Sequence, residues 1–190
     1  MLLCKNKQSY ARKQKSTRDY KARNIKKNLE MRGYATMIKI LFICHGNICR
    51  SPMAEFVMKD LVKKAGLSDQ FEIASAATSR EEIGNPVHRG TKNKLKQYGI
   101  STDGKCAIQM TSEDYRAYDY IIAMERYNLR NMERFVHGDP AHKVHLLLDF
   151  TDRGGDITDP WYTGNFDETY DDVLEGCRGL LQYIREYVLQ

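Results

Sequence analysis

Cys44 and Arg50 bracket the segment Cys44-His-Gly-Asn-Ile-Cys-Arg-Ser-Pro52, with Gly46 and Asn47 between them. A cysteine attacks as its thiolate, and a nearby guanidinium together with the positive end of a helix lowers the thiol pKa toward neutrality. Arginine also presents a planar fork that matches two oxygens of a phosphate-like anion. Gly46 and Asn47 both tolerate the positive φ of a tight turn whose successive N–H groups converge on an anion. The chemistry offered is nucleophilic attack by Cys44, with Arg50 clamping the charge. The segment His45, Gly46, Asn47, Ile48, Cys49 and Ser51 would supply the cradle.

Other readings of these residues are weaker. Cys44, His45 and Cys49 are metal-ligand types, but no second Cys or His pair follows at zinc-site spacing, so no metal and no cofactor is expected. The loop lacks the Gly-Lys-Ser/Thr ending of a nucleotide P-loop. A buried structural thiol would account for Cys177 or Cys106, but for Cys44 it leaves the glycine, asparagine and arginine unexplained.

Such a loop needs a strand before it and a helix after it. Ile38-Lys-Ile-Leu-Phe-Ile43 reads as a buried strand, and Ser51-Pro52 reads as an N-cap followed by a first-turn proline. Further strands are predicted at 71–76, 119–124 and 144–148. The first helix should carry Met53, Phe56, Val57 and Leu61 on its inner face and stop at Gly66. Other helices are expected near 87–98, 111–116, 126–136 and 167–188, the last with Val173, Cys177, Leu180, Leu181, Ile184 and Val188 at core spacing. Strands alternating with helices predict an α/β fold, a three-layer α/β/α arrangement on a four-stranded parallel sheet of Rossmann-like type. In such a sheet ligands bind beyond the carboxyl ends of the strands, where Cys44 would stand.

The run Cys44-His-Gly-Asn-Ile-Cys-Arg-Ser-Pro-Met-Ala-Glu55 resembles the signature loop of the low-molecular-weight protein tyrosine phosphatases. Ser75-Ala-Ala-Thr-Ser79, Tyr118-Asp-Tyr-Ile-Ile-Ala-Met124 and Asp159-Pro-Trp-Tyr162 resemble, in order, further segments of the same family. The resemblance implies hydrolysis of protein phosphotyrosine through a cysteinyl-phosphate intermediate. Asp159 would be the general acid and base, with Asp156 and Asp167 as nearby alternatives. It further implies that Asn47 holds the loop, that Ser51 donates to the thiolate, and that Cys49 forms a reversible disulfide with Cys44. Trp161 and Tyr162 would wall a pocket for a phenyl ring, with His45 at its entrance. Two departures stand out. Arg80-Glu81-Glu82 follows the second strand where many relatives carry an aromatic, and Ile108 in Lys105-Cys-Ala-Ile-Gln109 replaces an arginine. Protein arginine phosphatases are similar but tend to have threonine where Ile48 stands. Arsenate reductases usually lack the proline after Arg-Ser. Pro52, Ile48 and the two aromatics favour phosphotyrosine.

The chain of 190 residues has a net charge of +5, unevenly placed. Residues 1–36 hold eleven Lys or Arg against Asp19 and Glu30, leaving −4 for the remainder. The expectation is a phosphatase domain at 37–190 preceded by a basic extension, either a disordered tail or a segment upstream of a true start at Met37. An arm contacting nucleic acid through Tyr10, Tyr20, Tyr34 and the basic residues is the sharper alternative, and no nucleic-acid partner is expected. Five cysteines at no framework spacing, no signal-peptide core and no run long enough to span a membrane point to a reduced, cytoplasmic setting. A monomer or weak dimer acting on phosphotyrosine-containing protein is anticipated.

Overall fold

The computed structural model describes residues 37–189, so the readings made for the basic first 36 residues lie outside it. Its sheet is built outward from β1 (Ile38–Cys44). This strand pairs in parallel with β2 (Phe71–Ala77) on one side and with β3 (Tyr120–Ala123) on the other, and β4 (Val144–Leu146) completes the order β2-β1-β3-β4. The register sets Cys44 opposite Ala77 and Ile43 opposite Ala123. β1 is apolar along nearly its whole length because both faces of a central parallel strand are covered. Ile38, Ile40, Phe42 and Cys44 face one core, Leu41 and Ile43 the other. Each such side chain contributes about 1.5–3 kcal/mol on burial.

The first core is closed by α1 (Arg50–Lys64), α2 (Arg89–Lys96) and α6 (Phe166–Tyr187), the second by α3 (Ser112–Ala117) and α4 (Arg126–Val136). A short helix, α5 (Pro160–Thr163), lies between β4 and α6. The three-layer α/β/α arrangement expected from the alternating pattern is therefore present. Among the described residues no helix is long and apolar enough to cross a membrane.

Several local expectations need correction. Ser51 does not cap α1. The helix begins at Arg50 behind Cys49, which makes no side-chain cap, and the Ser51 hydroxyl is engaged elsewhere. The deepest face of α1 comprises Met53, Ala54, Val57, Met58 and Val62, while Phe56 and Leu61 are half-buried at its margins. β4 is shorter than predicted because Leu147–Phe150 turns into a 3₁₀ helix to pack on α6. α2 starts two residues late, since His88 Nδ1 accepts the Gly90 N–H and so fixes the helix entry. Cys177 is fully buried in the core, as its spacing suggested, but Cys106 is exposed.

Candidate active site

The turn from β1 into α1 gathers the residues that could do chemistry. Cys44 ends the strand at 3 % exposure, and residues 45–49 wrap over its sulfur before α1 begins. Asn47 adopts φ +59°, the left-handed conformation that lets a short loop reverse. Gly46 does not, contrary to the expectation for it; a Cβ there would lie 3.1 Å from Glu82 Cγ, so its smallness serves close packing.

That turn aims polar groups at the sulfur. The Asn47 N–H donates to Cys44 Sγ at 3.3 Å, and the Ser51 hydroxyl lies 3.1 Å from it. Among the described residues, the N–H groups of Gly46, Ile48 and Cys49 donate to no acceptor in the protein. Donors left unpaired beside a buried sulfur at a helix start make the cradle that an oxyanion fills.

Behind the loop lies a polar support in which Asn47 was expected and Ser75, Glu55 and Lys105 were not. Asn47 Nδ2 donates to Ser51 Oγ and to Ser75 Oγ, each at 2.8 Å, while Asn47 Oδ1 accepts the Ile108 N–H at 3.2 Å. Ser75 Oγ in turn donates to Glu55 Oε2 at 2.6 Å. Glu55 is buried and neutralised by Lys59 at 2.5 Å and by Lys105 at 3.3 Å. Lys105 also donates to the Ser75 carbonyl at 2.7 Å. A buried carboxylate is tolerated because both its oxygens are satisfied. Ser75 and Glu55 fell within recognisable segments but carry no spacing signal that assigns them this task. Ile108 meets the loop through its backbone N–H, and the residue is 52 % exposed.

Arg50 is the largest fully buried side chain of the described residues, at 1 % exposure. Its Nη1 donates to the Ile157 carbonyl at 3.1 Å; Nη2 pairs with Asp159 and, at 2.8 Å, with Glu125. Burial alone would push the guanidinium pKa down, but Cys44, Asp159 and Glu125 together hold it above its usual value. Its Nε has no hydrogen-bond partner among the described residues. Glu125 was missed in the sequence. The signal available was its place just beyond β3, at the carboxyl end of a strand neighbouring β1. Asn128 Nδ2 holds it at 3.2 Å.

Asp159 comes from the opposite wall. It caps α5, accepting the Trp161 N–H on Oδ1 at 3.1 Å, while Oδ2 faces Arg50. Pro160 at the first helical position pre-sets the turn. The residues that follow Asp159 thus form a one-turn helix. Asp156, a rival for the acid, instead pairs with Arg126 at 3.5 Å, and Asp167 pairs with Lys94 at 2.6 Å. Trp161 and Tyr162 follow at 57 % and 85 % exposure, Trp161 edge-on to His88. His45 lies 3.0 Å from Glu81.

These residues enclose a pocket of about 140 Å³ lined by Cys44, His45, Gly46, Ile48, Cys49 and Arg50 on one side and by Glu81, Glu82, Asp159, Trp161 and Tyr162 on the other. Cys49 is a free, buried thiol whose pKa is pushed up to about 12, first by burial and then by Cys44 and Asp159. No cluster of His, Cys, Asp or Glu suited to a metal ion occurs among the described residues.

The family described as low molecular weight phosphotyrosine protein phosphatase matches residues 39–189. This chain belongs to that family. The low molecular weight protein-tyrosine-phosphatase YfkJ of Bacillus subtilis is 41 % identical over 152 residues, which are 79 % of this chain and 97 % of that protein. The crystal structure of YfkJ superposes with a TM-score of 0.78 at 40 % identity, covering 81 % of this chain and 98 % of the other. A low molecular weight protein tyrosine phosphatase of Streptococcus pyogenes gives 0.68 at 43 %, with 80 % and 99 % covered. A Drosophila arginine phosphatase gives 0.72 at 32 %, with 78 % and 98 % covered. The parallel sheet and the phosphatase class expected from the sequence both stand on these matches.

Proposed function

We propose that the phosphatase domain, residues 37–190, hydrolyses phosphotyrosine in proteins by two displacements at phosphorus. The observation that carries this reading is the convergence on one pocket of the Cys44 sulfur, three unpaired loop N–H groups, the buried Arg50 and the Asp159 carboxyl. In the first step the Cys44 thiolate forms an S–P bond as the P–O bond to the tyrosyl oxygen breaks, and the Asp159 carboxyl gives its proton to that oxygen. In the second, Asp159 takes a proton from water, whose oxygen attacks phosphorus; the S–P bond breaks, releasing phosphate and the thiolate. Arg50 Nε and the N–H groups of Gly46, Ile48 and Cys49 bear the charge of the three equatorial oxygens. Asn47 and Ser51 orient the sulfur. The phosphoryl group must also replace Asp159 on Arg50, which frees that carboxyl to face the leaving oxygen.

Trp161, Tyr162 and His45 at the pocket mouth provide apolar faces for the phenyl ring. The depth of Cys44 beneath them favours an aryl phosphate over the shorter phosphoserine. Cys49 serves as resolving thiol. After a peroxide oxidises Cys44 to a sulfenic acid, the Cys49 thiol condenses with it, forming the S–S bond and releasing water.

The deciding experiment compares matched phosphotyrosine, phosphoserine and phosphoarginine peptides with wild-type enzyme and Cys44→Ser. Phosphotyrosine should be turned over fastest, and the variant should be inactive. Turnover by Cys44→Ser would overturn the mechanism, and faster release from phosphoarginine would overturn the substrate.

A further inference from the structure

Glu81 and Glu82 line the same pocket that holds Arg50, yet neither has a place in the chemistry above. Both are attached to the phosphate loop. Glu81 Oε2 meets His45 Nε2 at 3.0 Å, and the stem of Glu82 lies directly over Gly46, the Cγ atom 3.1 Å from where a Cβ would stand. The turn that carries them is pinned at both ends. The Ser79 N–H donates to the His45 carbonyl at 3.0 Å, and the Gly84 N–H donates to the Ala107 carbonyl at 2.9 Å. Within it, Glu82 accepts from Asn85 Nδ2 at 2.6 Å, and the Asn85 N–H returns to the Glu82 carbonyl at 2.9 Å. The two carboxylates are therefore held at the rim before any substrate arrives.

Among the described residues neither carboxylate pairs with a lysine or an arginine. Arg50 lies below and is already faced by Asp159 and Glu125. Arg80, the base of the same turn, does not line the pocket, and Arg126 pairs with Asp156. His45, shared with Glu81, is the other basic group on the lining. An acidic rim above an anion cradle is costly for an anionic ligand unless the ligand brings cations to the rim. We infer that Glu81 and Glu82 select phosphotyrosine flanked by Lys or Arg and reject phosphotyrosine in acidic sequence; this rests on the phosphotyrosine reading.

The test uses two phosphotyrosine peptides of equal length, one with Lys and Arg beside the phosphotyrosine and one with Asp and Glu. Each enzyme is scored by the ratio of its kcat/KM values, so any change in intrinsic rate cancels. Two rim charges, each acting as an exposed pair, give an expected wild-type preference of about fivefold to twentyfold for the basic peptide at low salt. That preference should shrink at about 0.5 M salt, where charges more than a few ångströms apart are screened. The double change Glu81→Gln with Glu82→Gln retains the hydrogen-bonding oxygens and should bring the ratio to about one. Glu81→Lys with Glu82→Lys should invert it. A wild-type ratio near one, or a ratio unmoved in the Gln pair, overturns the inference while leaving phosphotyrosine hydrolysis intact. Failure of the wild type on both peptides and on a simple aryl phosphate would instead overturn the phosphotyrosine reading itself.

Discussion

Asp159→Asn separates the proton-donor role of this residue from its structural one. In the structure Asp159 has two attachments: Oδ1 caps α5 through the Trp161 N–H, and Oδ2 pairs with Arg50. Asparagine is as good a helix cap as aspartate, so the first attachment survives. Arg50 keeps Glu125 at 2.8 Å and the Ile157 carbonyl at 3.1 Å, so it is not stripped of partners. The loss is then one charged hydrogen bond, about 1.5–3 kcal/mol, and not the larger penalty of an unpaired buried charge. For a domain of this size that lowers Tm by about 3–12 °C. Catalysis should suffer more. Loss of a positioned acid costs about 10²- to 10⁴-fold, or about 2.7–5.4 kcal/mol of barrier, when the leaving oxygen is as basic as a tyrosyl group. The loss should fall progressively across a series of aryl phosphates with more acidic phenols, because those leave without a proton. KM should hold or fall, since a carboxylate that competes with phosphate for Arg50 has gone. Initial rates across the series, with Tm recorded by calorimetry, check the argument. An equal loss for every leaving group would refute Asp159 as the acid, and a Tm drop well beyond the stated range would mean that Arg50 depends on Asp159 more than the geometry implies.

Two further predictions use the same geometry. Cys49, with its pKa pushed up to about 12, keeps its proton throughout the neutral range and carries on the order of 10⁻⁴ to 10⁻⁵ thiolate at pH 7.5. Iodoacetamide at that pH should spare Cys49 in Cys44→Ser too, as read by peptide mass, because burial, the largest cause, outlasts the loss of Cys44; rapid labelling of Cys49 would contradict its burial. The sign for stability follows: a thiol pKa raised on folding favours the folded state below its ordinary value of 9.0, and that contribution disappears as pH rises toward about 12. Asn47→Ala should cost about 2–4 kcal/mol, because alanine tolerates φ +59° less well than asparagine and the bonds to Ser51, Ser75 and the Ile108 N–H are lost. Asn47→Gly should recover about 1 kcal/mol of this by chemical denaturation, yet remain at least about tenfold down in kcat/KM. Full activity in the glycine variant would show that the conformation alone suffices.

What could be read from the sequence divides along a physical line. Signals confined to adjacent residues were legible: the unbroken apolar run of β1 announced a central strand, and Cys44, Arg50 and Pro52 marked the turn that follows it. Asp159 was preferred to Asp156 and Asp167 because the resembled family has its acid before a proline, as in Asp159-Pro160. Groups that act across the fold left little local trace. Glu125 reaches Arg50 from the end of β3, and its role exists only because β3 pairs with β1. Lys105 and Glu55 lie fifty residues apart and meet beneath Ser75. Ser51 shows why even a correct local signal can mislead. A serine before a proline is a sound helix start, but here the helix begins two residues earlier, with Cys49 in the cap position, and the Ser51 hydroxyl lies beside the Cys44 sulfur. On the proposed mechanism the N–H groups of Gly46, Ile48 and Cys49, just ahead of α1, must stay unpaired for substrate. A loop optimised for helix stability would satisfy them. The missing cap on α1, the left-handed Asn47 and the buried Arg50 are thus one compromise, in which local stability is forgone at the proposed phosphate site and the Asn47–Ser75–Glu55 support restores it from behind.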